Sequence, residues 1–133
     1  MAISFDKGFE LHAKGMQLRA QRAEVIASNI ANADTPGYKA KGMDFHKAMQ
    51  EASYQQQMGM SKTNAKHFDT RSEITNNVDF RVPNQPDTGD GNTVDVQVER
   101  NLYLENSLEY QAGVQFLNGK IKALKNVISG GRS

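Results

Sequence analysis

A helix on the surface of a small globular domain needs one apolar stripe, and the opening segment of this chain carries two. Phe9, Met16, Ala23 and Ile30 recur every seven residues. Leu11, Leu18 and Val25 also recur every seven, on nearly the opposite side, about 200° away at about 100° per residue. The pattern predicts a long helix from about Ser4, an N-cap with Asp6 in the first turn, to about Asn32. Both faces ask for burial, so this helix is expected to lie between another part of its own chain and something else, with a second subunit as the natural candidate.

The other end of the chain repeats the theme. Tyr103, Ser107, Tyr110, Val114, Leu117, Ile121, Leu124 and Ile128 alternate spacings of four and three, the periodicity of a coiled-coil seam. A weaker row, Val98, Leu102, Ala112, Phe116, Gly119 and Ala123, lies on another face, with small residues that admit a neighbouring backbone. The helix is predicted from about Asp95 to Ile128, capped by Asn92 or Thr93 and stopped by Gly130-Gly131. Of the 27 Leu, Ile, Val and Phe residues, 8 fall in residues 1–32 and 13 in 94–133. The core therefore resides at the two ends.

Between them the signal weakens. Residues 44–52 read as a short helix capped by Asp44, and Gln55-Gln56-Gln57 begins a polar run. Residues 59–92 scatter Phe68, Ile74, Val78, Phe80 and Val82 among Asn, Asp, Thr, Gly and Pro, a pattern open to short strands or to disorder and expected to order only on assembly. The chain divides into an N-terminal helix (1–34), a turn with an irregular middle (35–93) and a C-terminal helix (94–133). The fold class is mainly α, an elongated coiled coil of the terminal helices around a middle insertion.

Composition narrows the function. A net charge of +1 supplies no field to recruit nucleic acid or anionic lipid, so the expected partners are proteins. With 0 cysteines there are no disulfides and no thiolate chemistry. No stretch approaches the ~18 apolar residues of a membrane span, and no cleaved signal is visible, so direct membrane insertion is not expected. His12, His46 and His67 are the only histidines, and none sits three or four residues from another, which removes the helical metal pair. Asp87-Thr88-Gly89-Asp90-Gly91-Asn92 lacks the register of a calcium loop and reads as a turn. No nucleophile elbow or phosphate loop is present. No catalytic, cofactor or metal residues are assigned, and an enzyme is not expected. Arg19, Arg22, Lys120, Lys122 and Lys125 share their helices with Glu24, Glu105 and Glu109, as solvated faces or inter-subunit pairs do.

The sharpest local signal is Ala27-Ser28-Asn29-Ile30-Ala31-Asn32-Ala33-Asp34-Thr35-Pro36-Gly37-Tyr38-Lys39. Physically it is a helix exit. Asn29 and Asn32 are placed to satisfy terminal carbonyls or adjacent loops, Pro36 forces Thr35 out of the α region, and Pro36-Gly37 fits the centre of a type II turn. This stretch resembles the signature of flagellar basal-body rod and hook proteins, with Ser28 where that signature has the first Asn of a pair. Gly91-Asn92-Thr93-Val94-Asp95 and Glu105-Asn106-Ser107-Leu108-Glu109-Tyr110-Gln111-Ala112 add to the likeness, which covers most of residues 9–45 and 89–128.

The resemblance implies a coiled coil of the terminal helices lining a hollow periplasmic tube, with the middle segment outward. It implies export by the flagellar type III apparatus through an uncleaved signal. Its implied partners are other rod subunits, further copies of this chain in a helical assembly, and components of the membrane ring and export gate. A simple two-helix hairpin in a monomer would account for the seam alone, and the extra stripes favour assembly. The alternative is a helical adaptor or export-chaperone-like module that holds a client without entering a tube. The packing positions expected to matter are Leu18, Val25, Asn29, Asn32, Gly37, Tyr38, Tyr110, Leu117, Ile121 and Leu124.

Overall fold

The computed structural model describes residues 5–58, 77–83 and 89–130, with side chains described from residue 8 and, in the first segment, as far as residue 54. Two long helices dominate: α1 (Phe5–Ala31) and α3 (Val96–Ile128). At 33 residues, α3 is about 50 Å long, and the molecule is elongated accordingly. The helices run antiparallel, since Asn29 near the end of α1 meets Glu99 near the start of α3, while His12 meets Lys120. The expected cap Ser4 lies outside the described residues.

The N-cap of α3 is Asp95, whose carboxylate accepts from the Gln97 and Val98 amides, and not Asn92 or Thr93 as the turn cluster predicts. Both expected caps are engaged elsewhere. Asn92 donates to carbonyls at the exit of α1, and the Thr93 hydroxyl accepts from the Ala40 amide at 2.8 Å. At its far end α3 closes at Ser129, followed by Gly130 at φ +70°, a conformation a glycine adopts without strain.

The middle carries a helix, α2 (Phe45–Met58), preceded by β1 (Lys41–Met43), and a second strand, β2 (Val78–Phe80). Asp44 caps α2 as expected, accepting from the Lys47 amide at 3.1 Å, but the helix continues past the expected residue 52. Its run of Gln and Met has good helix propensity, which the polar composition disguised. Ala48 and Ala52 are buried and present no bulk. A methyl on Gly15 would lie 3.5 Å from Met49 Sδ, so α2 lies against α1 at close range. The strands pair antiparallel, Lys41 opposite Phe80 and Met43 opposite Val78, and the Arg81 amide donates to Ala40 O at 2.8 Å. Val78 and Phe80 are therefore strand residues, and residues 77–83 are held by their own chain without a neighbour. Val82 lies beyond the strand, and Phe68 and Ile74 lie outside the described residues.

This arrangement corrects the reading of the two stripes on α1. The Phe9–Met16–Ala23–Ile30 side faces α3, where Met16 Cγ is 3.9 Å from a methyl placed on Gly113. On the opposed stripe Leu18 needs no other subunit, while Leu11 and Val25 are half-buried. Leu18 is 1% exposed within the chain, and Val25 shares a groove with Gly42 and Met43 of β1. Each strand or short helix is too small to announce its apolar face by periodicity, so the cover for this stripe was hidden in the polar middle.

Candidate functional site

The helix exit is fixed by side-chain amides. Asn32 Nδ2 donates to Ser28 O at 2.8 Å, a second donor beside the Asn32 backbone amide at 3.1 Å, and so ties its side chain back onto the last turn. The Tyr38 amide donates to Thr35 O at 3.2 Å, closing the turn around Pro36 and Gly37, and Gly37 has φ +71° as a type II turn requires. Residues 89–93 lie along this turn. Gly37 N donates to Asp90 O at 2.9 Å and Thr93 N to Tyr38 O at 3.0 Å. Asn92, buried, shares its two amide hydrogens among Asn32 O, Ala33 O and Thr35 O at 2.8–3.0 Å, while its Oδ1 accepts from the Val94 amide. Gly91, at φ +72°, sits with its prospective methyl 3.5 Å from Gly37 Cα. The two segments that carry the resemblance are thus one structure, the second donating to the exit carbonyls of the first.

Asn29 extends the same logic inward. It is fully buried, and its side-chain amide behaves as an extra strand residue beside β1. Nδ2 donates to Lys41 O at 2.7 Å and Oδ1 accepts from Lys41 N at 3.0 Å. The Tyr38 hydroxyl also donates to Oδ1 at 3.3 Å. Nδ2 lies 3.1 Å from Glu99 Oε2, and Glu99, 1% exposed, is held from the other side by Arg81 at 2.7 and 3.3 Å. A carboxylate with so little access to water requires compensation of this kind. The cluster joins α1, β1, the residue after β2 and α3 at one point.

The face that α3 turns toward α1 is less apolar than its sequence suggests. Buried on it are Glu99 and Asn106, whose Nδ2 donates to Arg19 O at 2.9 Å. Gly113 abuts Met16, and an Arg19–Glu109 ion pair lies alongside. The coiled-coil row predicted from spacing lies mostly to one side of this contact. Tyr103, Tyr110, Ile121 and Ile128 are exposed, and Val114, Leu117 and Leu124 are half-buried. On the back of the helix, Leu104 and Leu108 are 60% and 58% exposed.

The expected packing positions accordingly divide into two sets. Leu18 and Asn29 are buried, Val25, Asn32 and Tyr38 are half-buried, and Gly37 is an exposed turn residue, all at or near the α1 exit. Tyr110, Leu117, Ile121 and Leu124 lie on α3 along the flank that α1 leaves partly uncovered. The structure does not bring the two sets together. Glu99, Arg81 and Asn106 were not assigned a role from the sequence, and Asn92 was assigned one only as a helix cap. A signal was available for Glu99 and Asn106, which are seven apart in a polar row beside the apolar rows of the same helix, whereas the partners of Asn92 and Arg81 lie too far away in sequence to leave a local one.

A helix exit locked by its own chain, joined to a long helix that leaves large apolar side chains uncovered, defines a helical subunit built for assembly. The family model for flagella basal body rod proteins matches residues 9–39, the segment from α1 through its exit. The chain is 52% identical over 130 residues to the flagellar basal body rod protein FlgB of Aeromonas hydrophila, covering 98% of each chain. It is 38% identical to FlgB of Salmonella typhimurium over 98% of this chain and 99% of that one, and 36% identical to FlgB of Escherichia coli K12 over the same shares. The chain belongs to the FlgB family of flagellar basal body rod proteins. It is a structural subunit of the basal body rod and assembles with other rod components. No helix among the described residues is long and apolar enough to cross a membrane.

Proposed function

We propose that this chain forms part of the proximal rod and joins its neighbours mainly through the uncovered flank and back of α3. Further copies of itself, other rod subunits, the membrane ring and the export gate are the partners in this reading, in a hollow periplasmic tube reached by type III export with an uncleaved N-terminal signal. The division into a terminal helix (1–34), a middle (35–93) and a second terminal helix (94–133) then separates tube-forming helices from a differentiated middle, and the role is structural, not catalytic.

The observation that carries the proposal is the exposure of Tyr103, Leu104, Leu108, Tyr110 and Ile121 on one helix. Burying a Leu, Ile or Phe side chain stabilises by about 1.5–3 kcal/mol, so neighbours that cover this set gain several such terms. The test is rod assembly with Ile121→Asp. Loss of rods with the protein still exported supports the proposal, and normal flagella overturn it. Recovery of the unaltered chain only in the cytosol, bound to a client, would instead favour the adaptor reading.

A further inference from the structure

Glu99, Asn106, Gly113 and Lys120 are spaced by seven and face α1, yet none is the apolar residue that a coiled-coil seam uses there. Each meets a different group on α1. Glu99 lies against Asn29 Nδ2 at 3.1 Å, and Asn106 Nδ2 donates to Arg19 O at 2.9 Å. Gly113 lies beside Met16, whose Cγ would be 3.9 Å from a methyl at 113, and Lys120 Nζ lies 3.1 Å from His12 Nε2 and 4.7 Å from the Phe116 ring centroid of its own helix. Asn106 is 2% exposed, and its Oδ1 has no hydrogen-bond partner among the described residues. A buried polar residue that is only partly satisfied costs stability, and a register device is the best-attested return for that cost.

We propose that this row is the specificity determinant that makes α3 choose α1, in one antiparallel register, from among the helices crowded together in an assembly. The neighbouring row lacks that power. Tyr103, Tyr110, Leu117 and Leu124 are apolar at every seventh position, so a slip of one heptad exchanges like for like. The polar row does not tolerate the same slip. Asn106 would move to Asn29, Gly113 to the Arg19 turn and Lys120 to Met16, while Glu99 would leave both Asn29 and Arg81. Pairing α3 with α3 of another copy would likewise take Glu99 from Asn29 and Asn106 from Arg19 O. The chain therefore keeps discrimination on the internal face and adhesion on the external one.

The chain has 0 cysteines, so engineered pairs report register without background. Met16→Cys with Gly113→Cys reads the observed register by disulfide formation in the purified full chain. Ala23→Cys with Gly113→Cys reads the slip of one heptad, and Gly113→Cys alone reads pairing between copies. With Asn106 present, the 16–113 link should dominate. Asn106→Leu should raise the slipped and intermolecular links together by roughly tenfold, the fold-change of one lost discriminating interaction. Asn106→Ala, which adds no bulk, should move them the same way. No rise with either variant, or no 16–113 link in the chain that keeps Asn106, overturns the proposal. Rod membership is untouched by that outcome, because the assay concerns the isolated chain.

Discussion

Asn92 shows how one amide can decide the meeting of two segments. Its Nδ2 serves three carbonyls at the end of α1 while its Oδ1 holds the Val94 amide. Asn92→Ala should destabilise by about 1–3 kcal/mol, and Asn92→Asp by more, because a carboxylate keeps the Val94 contact but faces three carbonyl oxygens. Denaturant midpoints of the purified variants check the order; equal midpoints for Ala and Asp would refute it. Gly37 makes a different case. Its φ is +71°, and a methyl there would meet nothing within 4 Å, so substitution acts through the backbone and not through space. Gly37→Val should impair incorporation into rods more than secretion, and Gly37→Asn should be milder, since Asn tolerates the left-handed region. Counting rods and secreted protein for both variants checks this. The turn was legible in the sequence because Pro-Gly constrains the backbone directly. Asn92 was not, because its partners lie 57–60 residues away and no local pattern encodes them.

At the scale of elements, the decisive contact is Glu99 with Arg81, since it ties the stretch after β2 to the first turns of α3. The Glu99 side chain is 1% exposed and that of Arg81 31%, so removing the arginine leaves a carboxylate buried with Asn29 alone. Arg81→Ala should cost about 3 kcal/mol or more, and adding Glu99→Met should recover most of it, because a neutral side chain needs no counter-charge. A double mutant as unstable as Arg81→Ala would show that shape and not charge holds this point. The long helices were readable from seven-residue spacing, and Asp44 from its position before α2. The N-cap of α3 misled because Asn92, Thr93 and Asp95 are all competent caps, and only tertiary contacts decide which of them is free. The strands, three residues each, are too short for alternation to register.

On the scale of the whole molecule, the sequence carried an excess of apolar residues on its terminal helices but not their distribution between self and neighbour. Of the Leu11–Leu18–Val25 stripe, Leu18 is buried within the chain and Leu11 and Val25 are half-buried, whereas the back of α3 is exposed. Leu104 and Leu108 stand one turn apart there, with Arg100, Asn101, Glu105 and Gln111 around them, all exposed. A pair so placed contributes nothing to the α1–α3 contact, which is formed on the opposite side of the helix by Glu99, Asn106 and Gly113. Leu104→Gln with Leu108→Gln should therefore leave helix content and the 16–113 link unchanged and make the purified chain more soluble. In cells the same double variant should be exported yet poorly retained in rods, since each lost burial removes about 1.5–3 kcal/mol from the contact with a neighbour. Circular dichroism, sedimentation and the yield of the variant in isolated basal bodies distinguish the cases. A loss of helix would mean that these leucines hold the fold. Full incorporation would mean that the back of α3 stays wet in the rod and that the Tyr103–Tyr110–Ile121 flank alone meets the neighbours.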